Sequence, residues 1–135
     1  MEKEEKKIKK NVRCRFNEQE YIGLQGCYQD VYHSLISKTQ YLAIMVRKEM
    51  DSIESLGDQG FRRFVEECTE RERTLAVRET FAQNVQLDGI DYDAVREFTE
   101  RCKRDTGKSV KFRAVVELLL VRRCRRNREQ GVLII

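Results

Sequence analysis

Two short stretches of the chain alternate between apolar and polar residues, and each is followed by segments of helical period. In the first, Val12, Cys14 and Phe16 alternate with Arg13 and Arg15. In the second, Val85 and Leu87 alternate with Asn84 and Gln86. A period of two predicts strands over 11–16 and 82–87, each with one dry face and one wet face.

Behind the first strand, Asn17 has the chemistry of an N-cap, and Glu20 stands at capping-box spacing. Tyr21, Leu24, Cys27 (or Tyr28) and Val31 then form a helical stripe. A turn is expected around 32–36. Ser37, with Gln40 three residues on, opens a second helix that turns Tyr41, Ile44 and Met45 inward. Behind the second strand, Asp88 caps a helix carrying Tyr92, Val95, Phe98 and Cys102. Gly107 supplies a turn and Ser109 a cap for a last helix with Phe112, Val115, Val116 and Leu119 on its stripe. Leu118 and Leu120 widen that stripe, so this helix needs burial on several sides.

One gapless register lays the two halves over each other. Phe16 meets Leu87, Asn17 meets Asp88, Tyr21 meets Tyr92, Leu24 meets Val95 and Cys27 meets Phe98. Further on, Val31 meets Cys102, Tyr41 meets Phe112, Ile44 meets Val115 and Met45 meets Val116. The turn chemistry is not shared, because Gly107 meets Ile36, and Gly23 with Gly26 weakens the leading helix of the first copy. Between the copies, Gly57 and Gly60 mark a loop with Asp58 as a cap. Phe61, Phe64, Val65, Cys68, Leu75 and Ala76 follow as a helical stripe broken at 70–73. That helix is expected to be a connector packed on the outside; a protein-docking helix is the sharper alternative.

Composition narrows the picture. The chain has 135 residues, enough for one modest core, with no proline to break long helices. Charged residues make up 37% but are mixed in sign, and the formal net charge of +4 permits nucleic-acid binding without demanding it. Five scattered cysteines are expected as reduced thiols in a cytoplasmic protein. The charged opening MEKEEKKIKK is not followed by the apolar stretch of a signal peptide. The apolar run 114–121 is interrupted by Glu117 and too short to span a bilayer. Residues 1–10 read as a basic arm, either a solubilising tail or a follower of a phosphate backbone. Residues 122–128 form a second basic cluster, ahead of an apolar tail.

Signals of chemistry are weak. Thr106-Gly107-Lys108-Ser109 matches the end of a phosphate-binding loop, but Cys102 stands where the leading glycine belongs and the segment follows a helix. His33 is the only histidine and no C-x-x-C pair exists, which argues against zinc. Nothing adjacent supports a Cys–His nucleophile. Asp88, Asp91 and Asp93 sit where helix caps and first-turn acids belong. No catalytic residue, metal site or cofactor is therefore expected.

The run RCKRDTGKSVKFRAVVELLL, with its turn glycine, polar cap and apolar second helix, resembles a ribbon-helix-helix DNA-binding motif. A lone unit leaves strand edges and an apolar helix face uncovered. In that family two units intertwine, their strands pairing antiparallel while the helices form the core. The resemblance implies a mainly α fold with a short two-stranded antiparallel ribbon, arranged as a tandem pseudo-dimer in one chain. Its parts would be an arm (1–10), a first unit (11–50), a connecting helical segment (51–81), a second unit (82–126) and a tail (127–135).

On such a ribbon, Arg13, Arg15, Asn84 and Gln86 would face the major groove, where arginine suits guanine edges and the amides suit adenine. Ser37, Lys38, Lys108 and Ser109, at the starts of the second helices, would hold phosphates. Tandem units in one chain resemble relaxosome accessory proteins of conjugative plasmids, used in conjugation and plasmid mobilization. That resemblance implies double-stranded DNA at a transfer origin as partner, with a relaxase or another protein contacted through 52–81, and a monomeric pseudo-dimer that can form higher oligomers on DNA. A transcription regulator, either a repressor or an antitoxin-like protein of the same fold, is the near alternative. A helical protein-interaction or RNA-binding protein using 122–128 is the alternative of different class.

Overall fold

The computed structural model describes residues 9–29 and 36–130. Most of the arm (1–8), Val31, His33 with most of the expected first-copy turn, and the apolar tail 131–135 lie outside the described residues. The elements run β1 (Lys10–Phe16), α1 (Glu18–Gln29), α2 (Lys38–Ile53), α3 (Asp58–Leu75), β2 (Phe81–Leu87), α4 (Gly89–Thr106) and α5 (Phe112–Gln130). Strand–helix–helix thus occurs twice, with α3 between the two occurrences.

The two strands pair with each other, antiparallel, from Lys10 opposite Leu87 to Phe16 opposite Phe81. Each extends one residue further back than the alternating pattern alone predicts. The inner face buries Val12, Cys14, Phe16, Val85 and Leu87. Paired residues share a face in an antiparallel ladder, so Asn11, Arg13 and Arg15 lie outward beside Gln86, Asn84 and Ala82.

Below the ribbon, α2 and α5 make the most extensive helix–helix contact, and the packing is crossed: α2 lies against β2, and α5 against β1. Every residue from Ala114 to Leu120 on α5 is buried, as a helix apolar on several sides requires. Burial of a Leu, Val or Phe side chain contributes about 1.5–3 kcal/mol, so this helix is a principal source of stability. Phe61 and Phe64 of α3 meet Phe98 of α4 edge-on, with centroids 5.4 and 5.2 Å apart. Geometry of that kind adds about 0.5–1.5 kcal/mol beyond area.

Local capping chemistry accounts for most helix starts. Asn17 Oδ1 accepts from the Glu20 N–H at 2.8 Å while Glu20 Oε1 accepts from the Asn17 N–H at 3.1 Å. Ser37 and Gln40 form the same reciprocal box, and Asp88 accepts from the Asp91 N–H at 2.8 Å. Gly107 closes α4 at φ 76°, in the left-handed region that favours glycine.

Three local expectations are corrected. Ser109 does not cap the last helix: α5 starts at Phe112, with the Lys111 carbonyl accepting from the Val115 N–H at 3.1 Å. The intervening Val110 packs against the core, which keeps the chain out of helix past Ser109. Gly57, not Asp58, is the N-cap of α3, and Asp58 is its first residue, where an acid complements the helix dipole. Ala76 is exposed at the C-cap of α3 and off its buried stripe.

The charged segment 70–73 does not interrupt the α3 stripe either, because Arg71 is itself buried there. Its guanidinium pairs with Glu20 and reaches Glu117 Oε1 at 3.3 Å and the Arg15 carbonyl at 2.8 Å. Arg113 joins the same network, 2.7 Å from Glu117 and 3.0 Å from Glu72. A second buried acid, Glu49 of α2, pairs with Arg123 at 3.1 Å and Arg126 at 3.3 Å on α5. Buried charges tolerate burial only when paired in this way.

Candidate nucleic-acid interface

The outer face of the ribbon carries the candidate base-reading side chains. Arg13 and Asn84 are both exposed and stand directly opposite each other. Gln86 is half-buried, and its partner across the ladder is the exposed Asn11. Asn11 was within reach of the alternation argument, since it precedes Arg13 and Arg15 at the same spacing, and it extends the polar row by one position.

Arg15 lies on the same face but is held differently. Its side chain is 36% exposed, and its Nη2 lies 3.3 and 3.4 Å from the two oxygens of Glu72 on α3. Its backbone N–H donates to Glu117 Oε2 at 2.6 Å. Arg13 therefore extends freely from the ribbon, whereas Arg15 is tethered toward α3.

The four candidate phosphate contacts separate into two pairs. Ser37 is the N-cap of α2 and Lys38 its first residue. The Lys38 ammonium sits over the Tyr21 ring at 5.1 Å; burial lowers its pKa, an effect the neighbouring Tyr21 partly offsets. Lys108 and Ser109 are exposed but precede α5 instead of starting it. Lys111 stands immediately ahead of α5, before Phe112 and Arg113, and is largely exposed, 3.6 Å from Glu72. A charge argument missed Lys111 because Ser109 looked like the better cap.

A second cation sits on aromatic carbon near the ribbon: Lys10 Nζ lies 4.4 Å from the centroid of Tyr92. Tyr21, which carries Lys38, also stacks on Phe81 at 5.4 Å. Lys10 and Phe81 are the first residues of their strands, so each strand start covers the tyrosine of the helix that follows the other strand.

The basic run on α5 does not form one open patch. Arg122 pairs with Glu67 at 3.2 Å and lies over Phe64, while Arg123 and Arg126 hold Glu49. Asn127 is buried, leaving Arg125 and Arg128 exposed. Helical geometry sends the run to several faces, and most of its charge is spent on buried or half-buried partners.

The three acids considered as cation ligands, Asp88, Asp91 and Asp93, have structural partners. Asp88 is a cap, Asp91 receives Arg47 at 2.9 Å, and Asp93 pairs with Arg96 at 3.2 Å. The Arg47 pKa is raised, chiefly by its hydrogen bond to Asp91. No group of three or more metal-ligating side chains occurs among the described residues, and none of the described helices is long and apolar enough to cross a membrane. Compared with known proteins, the chain matches no family model, no curated protein and no solved structure.

Proposed function

We propose that this chain is a non-enzymatic, sequence-specific double-stranded DNA-binding protein that lays its β-ribbon in the major groove. The observation that carries the reading is the full antiparallel register of β1 with β2, with Asn11, Arg13, Asn84 and Gln86 on the outward side. A two-stranded ribbon fits the major groove of B-DNA, and these side chains have the donor and acceptor geometry of base-edge readers.

A tandem ribbon-helix-helix pseudo-dimer is the architecture that best accounts for the packing. Arg13 and Asn84 are equivalent positions in the register that aligns Asn17 with Asp88, and they meet at the middle of the ladder. Glu18 and Gly89 begin the leading helices at the same offset. The crossed packing of α2 on β2 and of α5 on β1 supports two interlocked units. The second helices start out of step, because the second turn continues through Val110 and Lys111 before α5 begins.

Phosphates would be held by the start of α2 with Ser37 and Lys38, and by Lys108 and Lys111 ahead of α5. Single-chain tandem units favour an accessory role at a DNA transfer origin within a relaxosome. The exposed side of α3, including Arg62, Arg63, Glu66 and Glu70, is available for a relaxase. The pairing of Arg122, Arg123 and Arg126 with acids argues against RNA binding through 122–128.

Selection of bound duplexes from random oligonucleotides tests the proposal. The expected result is an asymmetric motif, because the two strands present different side chains, with affinity that falls steeply as salt rises. Recovery of random duplex without enrichment would overturn it.

A further inference from the structure

Two of the five cysteines touch. Cys27 Sγ on α1 and Cys124 Sγ on α5 lie 2.9 Å apart, although 97 residues separate them in sequence. Both are buried, and neither is in a disulfide. The sulfurs are thus within roughly 1 Å of bonding distance, on helices that already pack together. They are not sealed from solvent. Cys124 lines a cavity of about 360 Å³ with Gly23, Leu24 and Arg125, and Cys27 lines one of about 530 Å³ with Gly23, Gly26 and Arg128. The glycines on α1 add no side chain to this approach: a Cβ at Gly26 would meet none of the described residues within 4 Å, and one at Gly23 would stand 3.7 Å from Cys124 Sγ.

We propose that Cys27 and Cys124 are a redox-modification site, forming a reversible disulfide that ties α1 to α5 when a small disulfide oxidant reaches them. The thiolate of one cysteine attacks a sulfur of the oxidant, forming a mixed disulfide and expelling one small thiolate, which takes up the proton the cysteine lost. The second cysteine then loses its proton and attacks the protein sulfur of that mixed disulfide, forming the Cys27–Cys124 bond and expelling the second small thiol. Two protein thiols are oxidised and one small disulfide is reduced to two thiols, so electrons and protons balance. Adjacency makes the second step intramolecular, which favours the bridge over a lasting mixed disulfide.

The thiol of Cys124 is held protonated by its hydrogen bond with Cys27 and by burial, so bridging should be slow at neutral pH and faster in base. The bond would close a loop containing most of the chain, joining a helix of the first strand–helix–helix segment to the last helix of the second. It does not depend on the DNA-binding proposal.

The test uses the full chain under native conditions with oxidised glutathione, read by intact mass and peptide mapping. The expected product is about 2 Da lighter, with a single Cys27–Cys124 cross-link that dithiothreitol reverses. Its thermal midpoint should rise by roughly 10 °C. Cys27→Ala and Cys124→Ala should each abolish the bridge, whereas Cys14→Ala and Cys102→Ala should leave it intact. Mapping in the unsubstituted chain keeps the test decisive should a variant fold poorly. A stable glutathione adduct, a bridge between other cysteines, or no reaction while the denatured chain oxidises readily would each overturn the proposal.

Discussion

Arg13 and Asn84 face each other across the midpoint of the ribbon, one from each strand, both open to solvent. A guanidinium beside an amide on a two-stranded ribbon can address neighbouring base pairs, the first favouring guanine and the second adenine. If the ribbon reads DNA, Arg13→Ala should cost about 1–3 kcal/mol of discrimination at one base pair and leave other positions unchanged. Arg15→Ala should have the smaller effect on sequence preference, because Glu72 already holds that side chain. Competition binding against single-base variants of a selected site measures both. Equal loss of affinity for specific and random DNA on removing Arg13 would rule out its base-reading role.

Glu117 is fully buried and receives Arg71, Arg113 and the backbone N–H of Arg15. Removing its charge leaves two buried or half-buried guanidinium groups short of a counter-ion. Breaking a buried ionic network by deleting one partner costs about 3–5 kcal/mol. Glu117→Gln should therefore lower the unfolding free energy by about that amount in urea titration, while Arg73→Ala, at an exposed pair with Glu70, should change it by less than about 0.5 kcal/mol. Similar losses for the two variants would show that the network around Glu117 contributes little.

The sequence was legible where the deciding interaction is local. Asn17 with Glu20, Ser37 with Gln40, and Asp88 with the Asp91 N–H each act within one helical turn, and side-chain period alone located both strands. It was illegible where a distant partner decides. Arg71 looked like a break in a stripe because its partners, Glu20 and Glu117, are 51 and 46 residues away. Arg122, Arg123 and Arg126 looked like a binding patch because nothing nearby in sequence announces Glu67 and Glu49. Arg15 was indistinguishable from Arg13 until Glu72 was placed beside it. Ser109 had the right chemistry for a cap, but the chain continues past it through Val110, partly buried against the core, before α5 begins.

Gly107 offers a test of backbone conformation with little confounding from packing. Its φ of 76° is the only positive φ among the described residues, and an added Cβ would meet nothing within 4 Å. Gly107→Ala should then cost only the intrinsic penalty of the left-handed region, about 1–2 kcal/mol. Gly107→Asn should cost less, because asparagine tolerates that region. Thermal or urea unfolding of the pair measures the difference. Equal stability of all three proteins would mean that this turn does not hold the left-handed conformation in solution.

Glu72 contributes stability that acid removes. Burial alone would raise its pKa, but the hydrogen bond and charge of Arg113, with the charges of Arg15 and Lys111, outweigh burial and hold it below the ordinary value of 4.5. The unfolded chain therefore binds this proton at a higher pH than the folded one. In that range stability rises with pH. The contribution is complete above the unfolded value and disappears as pH falls through the depressed folded value. Stability of the unsubstituted chain should accordingly decline more steeply than that of Glu72→Gln between about pH 5 and pH 3. The gap between the two should be widest near neutrality and narrow in acid. Other carboxylates titrate in both proteins, so the difference between the curves isolates Glu72. Parallel curves across this range would show that Arg113, Arg15 and Lys111 do not favour its ionised form.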